Sequence, residues 1–281
     1  VNRLTWRRWK SRIMVGLMVL AVIVAVAPLF MILATLVIKG ASSLNLAFFL
    51  EEPAPAGEAG GGVVHAIVGT LVMVGTACLM GLPIGIGAGA YSAEFPRTWL
   101  AQATRFVADV MNGTPSIVVG VVAWTLIVAK QKHFSAFAGA VALAILMIPM
   151  VTRTTEEMIK LVPHSLREAA LALGYSRWRT SLTVVVRTCL PGIVTGSLLA
   201  VARVAGETAP LLFTALGSQF LSRDLSQPMA ALPLTVYTYA TGPYDDWHRI
   251  AWAAALVLIL VVLLLSLAAR LATRRRFDVR T

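Results

Sequence analysis

Leu199-Ala-Val-Ala-Arg203-Val-Ala-Gly206-Glu207-Thr208-Ala209-Pro210 sets one cation and one anion inside an apolar run. Its flanks, Gly192 to Ala202 and Leu211 to Leu216, carry no charged residue. The run therefore reads as a membrane span. A charge at bilayer depth costs roughly 3 kcal/mol on insertion scales, so such residues face a pore, a cavity or a partner charge. A spacing of four predicts that Arg203 and Glu207 share one face of a helix. Two roles fit that face: contact with a transported ion, or a static pair that fixes two helices.

Composition agrees with a membrane protein. Of 281 residues, 58% are hydrophobic and 13% charged, and mean hydropathy is +0.80. Soluble domains carry roughly 25% charged residues. The net charge of +11 does not indicate nucleic acid, because the basic residues flank the apolar runs, where topology and lipid headgroups account for them. Cys78 and Cys189 sit in apolar surroundings without metal or disulfide spacing and read as small hydrophobes. The histidines are scattered, so no metal site is expected. Gly85, Gly87 and Gly89 do not spell a dinucleotide fingerprint; helix packing through small residues explains them better.

Six segments are long and apolar enough to span, at about 13–38, 66–91, 104–129, 134–152, 188–216 and 249–271. The first is too long for a signal peptide and reads as an uncleaved span. Residues 227–240 are apolar but short and carry Pro228 and Pro233, which predicts an interfacial or re-entrant piece. Placing both termini in the cytoplasm leaves eighteen Lys and Arg inside and five outside, with Arg203 in the membrane. Residues 39–63 then form an external loop, read as flexible from Pro53, Pro55 and Gly60-Gly61-Gly62. Asn112-Gly113-Thr114-Pro115-Ser116 interrupts the third span, either as a packing kink or as a half-helix start aimed at an anion path. Arg105 and Asp109, four apart, read as a structural pair.

The loop between the fourth and fifth spans reads as two short helices around a turn. Ser165 and Glu168 have capping-box spacing, Gly174 suits the residue after a helix end, and Ser176 suits the next N-cap. Glu168-Ala169-Ala170, three residues, then Gly174 also resembles the EAA loop of ABC-importer permeases. In that family the loop's helix docks into a cleft on a cytoplasmic ATPase. The family pattern ends in Ile-x-Leu-Pro, whereas these positions are Val184-Val185-Val186-Arg187, with Leu190-Pro191 slightly later.

A longer string, Ala202-Arg203-Val-Ala-Gly206-Glu207-Thr208-Ala209-Pro210-Leu-Leu-Phe-Thr-Ala215, resembles a signature of the phosphate-importer branch of binding-protein-dependent transport permeases. Gln227 to Pro233, Pro115 to Gly120 and Val151 to Glu156 fit the same branch. The resemblance runs from about residue 62 to the last span and implies an all-α, six-helix permease of the MetI-like type. Residues 1–61 are then a basic tail, first span and external loop. Residues 62–272 are the permease core with its coupling loop at about 163–182, and 273–281 are a basic cytoplasmic tail.

The resemblance further implies a permease subunit of an ATP-driven phosphate importer in a bacterial inner or plasma membrane. Its implied partners are a PstC-like second permease, a PstB-like ATPase dimer and a PstS-like phosphate-binding protein. No cofactor is expected on this chain, since ATP and Mg belong to the partner ATPase. Arg203 and Glu207 are the expected translocation residues, with Arg153 and Glu156 as a second station. Glu168, Ala169, Ala170 and Gly174 carry coupling, and Gly113 and Pro115 mark the pore-helix break. The competing readings are a permease for sulfate or molybdate, a phosphate-signalling membrane component, and a secondary transporter.

Overall fold

A computed structural model describes residues 3–55, 58 and 60–277. Residues 1–2 and 278–281 and positions 56, 57 and 59 of the 39–63 loop lie outside the described residues. Regular structure among the described residues is helical, apart from one isolated bridge between Pro53 and Gly61. We number the helices α1 (Arg3–Ala41), α2 (Leu46–Leu50), α3 (Val64–Glu94), α4 (Trp99–Gly113), α5 (Ser116–Gln131) and α6 (Ala136–Lys160). They continue with α7 (His164–Ala172), α8 (Arg177–Ala205), α9 (Ala209–Thr214), α10 (Leu232–Ala240) and α11 (Asp245–Phe277).

Five helices are long and apolar enough to cross a membrane: α1, α3, α6, α8 and α11. The remaining expected span, the third in chain order, is not one straight helix. It is the pair α4 and α5, bent by 107° at Gly113–Ser116. Pro115 lacks an N–H and disfavours the helical region for Thr114, so the ladder stops there. Thr114 accordingly takes an extended conformation and Pro115 caps α5. The fifth span is also shorter than hydropathy suggests. It stops at Ala205, Gly206 occupies its C-cap, and residues 209–214 form the separate helix α9.

α6 is the central helix, with 61% of its apolar window buried against 28% for α3 and α8 and none for α1. It is rich in Ala and Gly on its packed face, including Ala138, Gly139, Ala142 and Ala144. α3 meets it through Gly81, Gly85 and Gly89. A Cβ at Gly85 would lie 2.8 Å from Val151 Cβ, and one at Gly89 would lie 3.1 Å from the Glu156 amide nitrogen. Gly87 faces open space, so only two of the three alternating glycines belong to this seam. Met73, Leu143, Met147, Val151, Val204 and Leu211 fill the core between α3, α6, α8 and α9.

At the opposite end from α7, the 39–63 loop is more ordered than its glycines and prolines suggest. α2 buries Phe48, and the Val63 amide donates to the Phe48 carbonyl at 2.8 Å. Residues 227–240 enter the core rather than lying at an interface. Met229 to Leu232 are buried, the Leu232 amide donates to Thr70 Oγ1 at 2.8 Å, and the Ala230 carbonyl lies against Gly69. α10, with nine residues, is roughly 14 Å long at 1.5 Å per residue, well short of a span. α1 touches the bundle only through its last turns: Leu36 is buried, Gly40 abuts Trp252, and Lys39 Nζ lies 5.0 Å from the Trp252 ring.

Candidate translocation site and coupling face

The break in α4–α5, the middle of α6 and the end of α8 converge on one cavity of about 170 Å³. Met111, Asn112, Thr114, Pro115 and Ser116 line it from the break, Leu146 and Met150 from α6, and Arg203, Val204 and Glu207 from the end of α8. At about 30 Å³ per water, this space holds several waters or one small anion. Arg203 and Glu207 do come together, but not as a helical pair. Gly206 ends the helix, so Glu207 lies beyond it, its amide donating to the Val204 carbonyl at 3.1 Å.

Arg203 is exposed on this isolated chain, and its Nη1 lies 3.6 Å from Met150 Sδ. Among the described residues it forms no ion pair, with Glu207 or any other carboxylate. A guanidinium left without an anion in an apolar setting is a ready acceptor for one. The start of α5 adds polarity to the same wall. The Val118 amide bonds back to the Pro115 carbonyl, while Ser116 and Ile117 occupy the first turn, where helix amides lack internal partners. Gly113 and Pro115 are therefore at the break as expected, and Pro115 edges the cavity.

Arg153 and Glu156 lie near the C-terminal end of α6 within a larger charge network. Glu156 is fully buried. It accepts from Arg105 Nε and from Lys160 Nζ at 2.5 Å each, and from Arg153 Nη1 at 3.2 Å. Arg153 also forms a bidentate pair with Asp109, at 2.8 and 2.7 Å. The expected pairing of Arg105 with Asp109 is thus replaced by two pairs across the α4–α6 crossing. Arg105 also bonds the Ser92 and Pro96 carbonyls at 2.6 and 3.0 Å, which ties the α3–α4 turn into the network. Lys160 and Arg105 are partners of Glu156 that the sequence reading missed. The Glu156–Lys160 spacing of four was the available signal for one of them.

On the loop between α6 and α8, Gly174 sits at φ +80°, Tyr175 N donates to the Ala170 carbonyl and Gly174 N to the Leu171 carbonyl. This is a Schellman end to α7, as Gly174 led one to expect. The expected capping box does not form. Pro163 is the N-cap of α7, so Ser165 lies inside the helix and Glu168 is not engaged in capping. Glu168 and Ala169 are exposed, and Ala170 is buried. Ser176 holds the next N-cap position but its side chain makes no capping bond. Where the family pattern of the loop is lost, α8 takes a π-helical turn at Thr180–Val185.

The profile described as the binding-protein-dependent transport system inner membrane component matches residues 81–278. The chain belongs to this family.

Two relatives of this permease cover nearly the whole chain. The phosphate transport system permease protein PstA of Yersinia pestis is 48% identical over 266 residues, 94% of this chain and 90% of that protein. The protein of the same name from Haemophilus influenzae is 46% identical over 270 residues, covering 96% and 95%. Among solved structures, a chain of a bacterial alginate ABC transporter superposes with a TM-score of 0.68 at 16% identity, covering 96% and 97%. A chain of the MetNI methionine ABC transporter gives 0.58 at 19% identity, covering 76% and 93%. At these identities the solved structures show the fold, which is the all-α ABC permease fold. The chain is a transport permease, and proteins of this family work with an ATPase and a substrate-binding protein.

Proposed function

We propose that this permease is the PstA-type subunit of a phosphate importer and forms half of its pore. The observation that carries the reading is Arg203, which presents a guanidinium with no carboxylate partner among the described residues to a cavity edged by a helix start, in a chain similar over nearly its full length to two PstA proteins. Guanidinium matches phosphate oxygens in a bidentate fashion. Glu207 lines the same cavity and is free to accept a hydrogen bond from a protonated phosphate oxygen, which fully deprotonated sulfate lacks. Its carboxylate also keeps the site from holding the anion too tightly for release.

The remaining assignments follow from this role. A PstC-like permease supplies the other half of the pore, and a PstS-like protein delivers phosphate from outside. A PstB-like ATPase dimer, using ATP and Mg, receives Glu168, Ala169 and Ala170 of α7. Both termini lie in the cytoplasm of a bacterial cell, with residues 1–61, 62–272 and 273–281 as tail and first span, permease core, and basic tail. For Arg153 and Glu156 the geometry favours a structural lock, because Glu156 has no exposed surface to offer an ion.

The test is uptake of radiolabelled orthophosphate by cells with the complex assembled at normal abundance. Loss of a charged hydrogen bond costs about 1.5–3 kcal/mol, so Arg203→Gln should reduce uptake by tenfold or more. Undiminished uptake would sink the pore role. Excess sulfate that competes as well as unlabelled phosphate would replace phosphate with a broader oxyanion specificity.

A further inference from the structure

A second and larger cavity, about 690 Å³, opens at the end of the bundle that carries α7. Its walls come from three elements: Ala90 to Phe95 at the end of α3, Arg167 and Leu171 on α7, and Arg177 to Leu182 at the start of α8. The lining is mainly apolar, with Tyr91, Phe95, Trp178 and Leu182 presenting large hydrophobic surface. Set into it are polar groups without partners. Thr180 is only 4% exposed, and its Oγ1 makes no hydrogen bond. Arg167 Nε is likewise buried and unbonded, although Arg167 Nη1 pairs with Glu94 at 2.5 Å. Arg177 forms no ion pair among the described residues. Glu94 is the one acid in the lining, and Arg167 already engages it.

We propose that this cavity binds one anionic phospholipid, with its phosphate at Arg177, Thr180 and Arg167 Nε and an acyl chain along Tyr91, Phe95, Leu171 and Leu182. Three features select a lipid. The cavity lies where the apolar helix α3 ends and the basic coupling loop begins, the depth at which cytoplasmic-leaflet headgroups meet Lys and Arg. Its charge is positive at one side while its remaining wall is greasy, which suits an amphiphile and not a free phosphate ion. Buried unpaired donors cost about 1–3 kcal/mol each, and a phosphate oxygen relieves that cost. A lipid seated there bridges α3, α7 and α8, and so braces the coupling helix from the membrane side. This inference rests on the membrane-permease reading and not on the identity of the cargo.

The test uses the assembled transporter, purified in detergent, stripped of lipid and incubated with a photoreactive phosphatidylglycerol. Labelled peptides are identified by mass spectrometry. The expected result is labelling of segments 90–95 and 177–182, displaced by excess phosphatidylglycerol but not by phosphatidylcholine or inorganic phosphate. At about 1 kcal/mol per basic group near a lipid surface, Arg177→Gln should reduce labelling about fivefold, with Arg177→Lys near normal. Thr180→Val should also weaken it. Labelling elsewhere only, equal displacement by phosphatidylcholine, displacement by inorganic phosphate, or unchanged labelling in both Arg177→Gln and Thr180→Val would overturn the proposal. Labelling that appears only after the ATPase is removed would assign the cavity to that partner and overturn it equally.

Discussion

Replacing Glu156 by Gln tests whether charge locks α4 to the C-terminal part of α6. The amide keeps the shape of the side chain but removes the negative charge that faces Arg105, Arg153 and Lys160. Removing one partner of a buried pair costs roughly 3–5 kcal/mol. The cost here belongs at the lower end, because the three cations are 22%, 31% and 50% exposed and each has another outlet. Arg105 keeps two carbonyls, Arg153 keeps Asp109, and Lys160 turns to water. A loss of about 3 kcal/mol lowers the melting temperature by roughly 6–12 °C, at 2–4 °C per kcal/mol for a chain of this size. Thermal denaturation of the detergent-purified complex, followed by size-exclusion chromatography of the tagged chain, reads this shift. The double variant Arg105→Gln/Glu156→Gln should lose at least about 1 kcal/mol less than the sum of its parts, as contacting residues do. A Glu156→Gln protein that melts within about 1 °C of the parent, with additive effects in the cycle, would refute the lock.

Two further outcomes follow from the backbone. Gly89→Ala forces a Cβ against the Thr152 carbonyl and the Glu156 amide and should destabilise by about 1–3 kcal/mol, whereas Gly87→Ala, which meets nothing within 4 Å, should be neutral or slightly stabilising; the same thermal assay separates them. Gly174→Ala places a Cβ at φ +80° and should cost about 1 kcal/mol at the end of α7. Its signature is faster amide exchange at position 174 and at Tyr175 with α6 protection unchanged, and uniform protection across the loop would contradict the Schellman assignment.

The spans were legible because a bilayer demands about 20 apolar residues in a row, and hydropathy reports that directly. The bend at Gly113–Ser116 was half legible. Pro115 announces a break, but the 107° angle depends on what α5 packs against. Hydropathy extends the fifth span to residue 216, whereas Gly206 as a stop and Pro210 as a start carry the correct local signal. Spacing also misdirected the reading of Arg105 and Asp109. Two residues four apart are able to meet, yet α6 offers each a better partner across the crossing. The cavity around Arg203 was legible as chemistry only. Its walls come from residues 111–116, 146–150 and 203–207, and no local pattern brings those segments together.

The glycine seam between α3 and α6 has a mechanical meaning. Gly81, Gly85 and Gly89 leave no side chains between the two backbones to act as a cushion. Neither helix slides past the other without a steric collision, so the pair behaves as one stiff strut. Any rearrangement during a transport cycle must then be taken up at joints elsewhere. Two such interruptions, Gly113–Pro115 and Gly206, adjoin the residues that line the cavity with Arg203. Two compliant points of the subunit therefore lie beside its charged chamber, where a small rotation changes what the guanidinium can reach.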